Sequence, residues 1–189
     1  MNDKERFCKL YRTHITRPGA DELMNFLENK SDFFVAPAST RFHLAREGGL
    51  VEHSVNVAEV LLRFEEEPTE SLVICGLLHD LCKANYYKAS TRNVKNETTG
   101  QWEKQPFYQI EDSFPYGHGE KSVYMIERFF RLKAPEAMAI RWHMGGFDEA
   151  AKGGSFAISR ACERYPLTVK LQIADLAATY LIENAAAAQ

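Results

Sequence analysis

Four of the six histidines in this 189-residue chain, His53, His79, His118 and His143, fall in separate stretches of helical character, and Asp80 and Asp175 lie in apolar runs. An imidazole or carboxylate inside an apolar helix costs free energy unless it is hydrogen-bonded, paired with a charge or bound to a metal. For the His79-Asp80 dipeptide alone, the ordinary outcome is a bond to backbone or to each other. Six such groups delivered by several helices are what a site inside a helical bundle requires. Nitrogen and oxygen ligands in this ratio suit divalent Mn, Fe, Ni, Co or Zn better than Ca or a structural zinc of the thiolate type. Asp80 has two oxygens and can bridge two ions. Lys83, three residues after Asp80, and Lys121, three after His118, are candidates to face a phosphate.

These side chains need rigid carriers. From Glu70 through Leu72, Val73, Ile74, Leu77, Leu78 and Leu81 the apolar residues are dense enough to cover most of a helix surface, which predicts a central buried helix that runs through His79 and Asp80. Gly48-Gly49 leads into a second helix whose stripe includes Leu50, Val57, Val60, Leu61 and Phe64, with His53 at its edge. His118, between Gly117 and Gly119, opens a third. Pro135 starts a fourth, closed by Gly145-Gly146, with His143 in its last turn. Pro166 opens the last long helix, through Ile182, with Asp175 the one carboxylate in its middle.

The remaining segments read as packing and cover. Residues 3–13 form an amphipathic helix, Arg17-Pro18-Gly19 breaks it, and Asp21 caps a second, giving N-terminal packing helices over about 3–31. Residues 31–46 form a loop across the core, and His43 at its end reads as a local hydrogen-bonding residue. Two polar, aromatic-bearing stretches around Gly100 predict a β-hairpin over about 86–110, which must lean on the helical body because a lone ribbon is marginal in water. On it, Arg92 and Trp102 are candidates to clamp a nucleotide base.

At 45% hydrophobic residues the length supports one domain, 1–189, with one core. The net charge of -3 argues against affinity gained by broad phosphate neutralisation. Cys8, Cys75, Cys82 and Cys162 form no Cys-x-x-Cys pair, and Cys75 and Cys82 read as core residues of one helix, which indicates a reducing compartment. A charged start and no apolar run of membrane length give a cytoplasmic expectation with no membrane partner.

The ordered set His53, His79-Asp80, His118, His143, Asp175 resembles the HD-domain superfamily of metal-dependent phosphohydrolases. The likeness spans about residues 40–182. Gly48-Gly49-Leu50-Val51-Glu52-His53 and Gly76-Leu77-Leu78-His79-Asp80-Leu81-Cys82-Lys83 are especially similar to the HD domain of certain bacterial 3'-5' exoribonucleases. The chain departs from that pattern in carrying the hairpin and in having no separate N-terminal nucleic-acid-binding domain. The resemblance implies an all-α helical bundle with an inserted β-hairpin and two divalent transition-metal ions. His53, His79, Asp80 and Asp175 would hold the first ion, and Asp80 would bridge to a second held with His118 and His143. The implied reaction is hydrolysis of a phosphomonoester or phosphodiester by a metal-activated hydroxide. Its substrate would be a phosphorylated small molecule, a nucleotide or a short nucleic acid. Some HD-fold proteins resemble this ligand set and use a mixed-valence di-iron centre to activate oxygen. A third reading is a nucleotide-binding module that keeps metal for stability.

Overall fold

The computed structural model describes residues 1–40, 43–64 and 66–183, with Gln105 and Pro106 described by their backbone alone. Helices α1 (Asp3–His14) and α2 (Ala20–Asn29) precede a loop that leads into α3 (Gly49–Leu61) and α4 (Thr69–Leu78). The hairpin follows as β1 (Tyr87–Lys95) and β2 (Trp102–Ile110), then α5 (His118–Glu127), α6 (Ala134–Arg141), short α7 (Glu149–Lys152), α8 (Ala157–Arg164) and α9 (Pro166–Ala177). The expected helical bundle with a β-hairpin insertion is therefore present. Among the described residues no helix is long and apolar enough to cross a membrane.

The core is organised by α3 and α4, which pack along one another and against α9, while α6 joins α4 to α9 and α5 lies on α6. Every residue of α4 from Ser71 to Leu78 is buried, as a helix apolar on all faces must be. The two central helices can come this close because of Gly76. A Cβ built there would lie 2.7 Å from the Ala58 Cβ and closer still to the Ala58 backbone.

Arg17 ties the N-terminal segment to this core. Its guanidinium donates to both oxygens of Glu136 (2.7 and 2.6 Å), to Glu70 Oε2 (3.1 Å) and to the Arg131 carbonyl (3.0 Å). Glu136 is fully buried and also accepts from the Ser71 hydroxyl (2.6 Å) and the Lys133 amide (2.7 Å). Burial alone would raise its carboxyl pKa, but the bonds from Arg17 and Ser71 outweigh it and hold it below the usual carboxylate range. The start of α6 is thereby fixed against α4.

The hairpin is antiparallel, with register from Tyr87↔Ile110 at its base to Lys95↔Trp102 near its tip. The base is attached to the helical body. Tyr86 accepts the Glu111 amide (2.9 Å), packs on Tyr87, and lies under the ammonium of Lys121 at 5.0 Å.

Four local expectations are corrected. Gly19, in the left-handed region, precedes α2 without a side-chain cap, and Asp21 sits inside the first turn. α4 ends at Leu78, before His79 and Asp80. The chain there tightens into a 3-10 turn, Leu81–Lys83, because the Cys82 amide donates to the Ser122 hydroxyl of α5 (3.0 Å) instead of continuing the helical ladder. Cys82 is consequently not on the helix that carries Cys75. Likewise α6 ends at Arg141 and His143 lies just beyond it, not in its last turn.

Candidate metal centre

The ends of α4 and α6 explain the orientation of two histidines. The last carbonyls of a helix lack intrahelical partners. His79 Nδ1–H donates to the Gly76 carbonyl (2.9 Å) and His143 Nδ1–H to the Ile140 carbonyl (2.7 Å), each three residues back. Both rings are thus held in the tautomer that leaves Nε2 with a free lone pair aimed inward. His53, inside α3, donates Nδ1–H to Glu183 Oε1 (2.9 Å), which turns Nε2 toward the cluster.

The three Nε2 atoms and the carboxylates converge. His53 Nε2 lies 3.3 Å from His79 Nε2 and 3.2 Å from Asp175 Oδ1. Donor atoms of His79, His143 and Asp175 all lie within 4.8 Å of one another, as do those of His53, His79 and Asp80. Asp80 divides its two oxygens. Oδ2 faces His79 Nε2 (3.6 Å) and His53 Nε2 (3.8 Å), while Oδ1 faces His118 Nε2 (2.9 Å) and His143 Nε2 (3.5 Å). The six residues expected to be ligands are brought to one place.

His53, His79, Asp80 and His143 are buried, whereas the side chains of Asp175 and His118 are 21% and 30% exposed, so the cluster is reached from their side. α5 can present His118 there because Gly119 lets it approach the end of α6. A Cβ on Gly119 would sit 2.7 Å from the Arg141 carbonyl carbon. Beside His118 opens a pocket of about 240 Å³ walled by Cys82, Tyr86, Asp112, Lys121 and Glu149.

Electrostatics divide the histidines. Burial would lower the pKa of His53, but hydrogen bonds to Asp175 and Glu183 outweigh it and push it up to about 10. Burial of His118 is likewise outweighed, by the Cys82 sulfur and the bond to Asp80, and it too is pushed up to about 10. Burial pulls His79 down to about 4 despite Asp80. Burial opposes the charge on Asp80, but Lys83 and His79 hold its pKa well below the ordinary value. A cation in the cluster would take the place of the protons on His53 and His118.

The donor set fits divalent cations on two further observations. His143 Nε2 is buried with no hydrogen-bond partner among the described residues, and such an atom is costly unless something binds it. The facing Nε2 atoms of His53 and His79 cannot both keep lone pairs at 3.3 Å without a proton or a cation between them.

The remaining candidates are placed as follows. Lys83 Nζ donates to Asp80 Oδ2 at 2.6 Å, at the edge of the cluster. Lys121 is buried in the pocket wall and donates to Asp112 Oδ1 (2.6 Å). Arg92 and Trp102 stand on the exposed ribbon, outside the buried cluster. Arg92 is five residues beyond Tyr87, roughly 17 Å along the strand. Sequence reasoning missed Glu183 and Asn56, whose amide donates to Glu183 Oε1 (3.2 Å). It also treated His43 as local, whereas its ring lies 5.1 Å from that of His53. The available signal was Glu183 itself, a carboxylate two turns beyond Asp175.

Compared with protein-family models, the chain matches the HD domain over residues 50–179. No curated protein and no solved structure matches it. Neither comparison supports the closer resemblance to exoribonuclease HD domains drawn from residues 48–53 and 76–83. The matched stretch covers more than half of the chain and contains His53, His79, Asp80, His118, His143 and Asp175. Both the matched span and the convergence of those six side chains lead to one assignment: the chain belongs to the HD domain family.

Proposed function

We propose that the protein is a metal-dependent phosphohydrolase that cleaves a phosphomonoester or phosphodiester, in a nucleotide or short oligonucleotide, at a dinuclear His/Asp centre. The observation that carries this reading is the division of Asp80, whose two oxygens face two different histidine pairs. His53, His79, Asp80 and Asp175 would hold one ion, and Asp80, His118 and His143 the other. Mn, Fe, Ni, Co and Zn all suit these donors. Divalent ions bound there supply Lewis acidity toward a phosphate oxygen and bring the pKa of bound water toward neutrality.

The chain's own residues do the rest. The backbone carbonyls at Gly76 and Ile140 hold the His79 and His143 tautomers without any rearrangement during the reaction. Burial of that inner face excludes water and strengthens every charge interaction within it. Lys83 orients Asp80 through Oδ2 and would be the cation that meets a phosphate oxygen. Lys121, already neutralised by Asp112, shapes the pocket beside His118 and would donate a hydrogen bond to the leaving group. Arg92 and Trp102 would bind only a part of the substrate that reaches beyond this pocket, which favours an oligonucleotide or an extended nucleotide for any contact with them.

The test is hydrolysis of an aryl phosphomonoester, an aryl phosphodiester and a nucleotide panel under added Mn²⁺, each repeated with chelator. Metal-dependent release of phosphate or of the aryl alcohol supports the reading. Iron-bound protein that consumes oxygen and hydrolyses nothing overturns it in favour of the oxygenase chemistry.

A further inference from the structure

We infer that Glu183, steadied by Asn56, is a positioning residue for the metal ligand His53. Its carboxylate holds the Nδ1 proton so that Nε2 keeps its lone pair directed into the metal centre. This rests on the metal centre proposed above.

The need for such a residue follows from where His53 sits. His79 and His143 lie just past helix ends and use carbonyls that the helices leave free. His53 is the fifth residue of α3, where neighbouring carbonyls are taken by the helical ladder, so its Nδ1–H requires an acceptor from another element. Glu183 supplies it at 2.9 Å. Asn56 is one turn beyond His53 on the same face of α3 and donates to the same carboxylate oxygen at 3.2 Å, which fixes the oxygen over the ring.

The reach of Glu183 is built into the backbone. α9 ends at Ala177 and the chain continues as a π-helical turn, Ala178–Glu183. Eight residues of continuous α-helix would rotate Glu183 about 80° from the face that carries Asp175. Winding the last six more widely, at about 4.4 residues per turn, reduces that to roughly 30°. One helix therefore grips His53 from both sides, with Asp175 at Nε2 (3.2 Å) and Glu183 at Nδ1 (2.9 Å). Glu183 is 5% exposed, and its other oxygen has no hydrogen-bond partner among the described residues, lying 4.0 Å from the buried Nε2 of His43. A carboxylate buried at that cost, on a ligand imidazole, has the arrangement that orients metal-bound histidines and raises their basicity.

The experiment is calorimetric titration of metal-free wild type, Glu183→Gln and Glu183→Ala with Mn²⁺, with circular dichroism and melting of each metal-free protein alongside. Glu183→Ala is expected to weaken Mn²⁺ binding by about 10- to 100-fold. Glu183→Gln keeps an acceptor oxygen but no charge and should fall between the two. A carboxylate that merely anchored α9 to α3 would lower the metal-free melting temperature and leave the Mn²⁺ affinity of the folded protein unmoved. Unchanged affinity in folded variants would therefore overturn the role. If Glu183→Ala does not fold, the isosteric Glu183→Gln decides by the same criterion. A wild type that takes up no Mn²⁺ would instead overturn the metal centre, and this role with it.

Discussion

His118 Nε2 lies 2.9 Å from Asp80 Oδ1, the carboxylate oxygen that Lys83 does not use. His118 meets only that side of the cluster, whereas Asp80 meets both. Replacing His118 by Ala should therefore remove one of two bound ions and leave the other, while Asp80→Ala should remove both. Elemental analysis of the two purified variants checks this. Equal loss in both would mean that the two sides of Asp80 do not serve separate ions.

Lys83 holds Asp80 Oδ2 from the rim and is not itself a ligand. Lys83→Ala should lower phosphoester turnover by about 100-fold, the scale of losing one preorganised donor to a developing charge, with metal content intact. Lost metal would make Lys83 a structural support of Asp80, and unchanged turnover would remove it from the chemistry.

Gly76 permits the close crossing of α3 and α4 that brings His53 and His79 together. Gly76→Ala must push Ala58 away, and overpacking of this kind costs about 1–3 kcal/mol. Urea unfolding of the metal-free protein should show that loss, and Mn²⁺ binding should weaken with it. Wild-type stability in the variant would mean that the helices relax without strain.

The Arg17–Glu136 pair sets an acid limit on stability. The Glu136 pKa is depressed in the folded protein, so its contribution is fully present above the unfolded value of about 4.3 and is lost as pH falls through the folded value. Between pH 6 and pH 3 the wild type should lose more urea stability than Glu136→Gln, which has no carboxyl to protonate there. Parallel losses would show that this pair does not govern the acid response.

Much of the site was legible because its residues are anomalous where they stand. A histidine or aspartate in α3, α4 or α9 surroundings is conspicuous among Leu, Val and Ile, and Gly100 between two strand-like runs marked the hairpin. The exact ends of α4 and α6 were not legible. The rings of His79 and His143 take carbonyls at the ends of α4 and α6, and the Cys82 amide is diverted to Ser122, a contact made only after folding. Glu183 was hidden for a similar reason. Its register depends on a π-helical turn, and α-helical periodicity turns it away from Asp175. From sequence Lys121 reads slightly better as an ordinary surface lysine, whereas the fold buries it between Asp112 and Tyr86.

The measurement that bears most directly on the central claim is transition-metal content of the protein purified without chelator, with His118→Ala as a reference. Wild type should carry about two ions per chain and the variant about one. A wild type that carries no transition metal, and takes up none when Mn²⁺, Fe²⁺, Co²⁺, Ni²⁺ or Zn²⁺ is supplied, would contradict it.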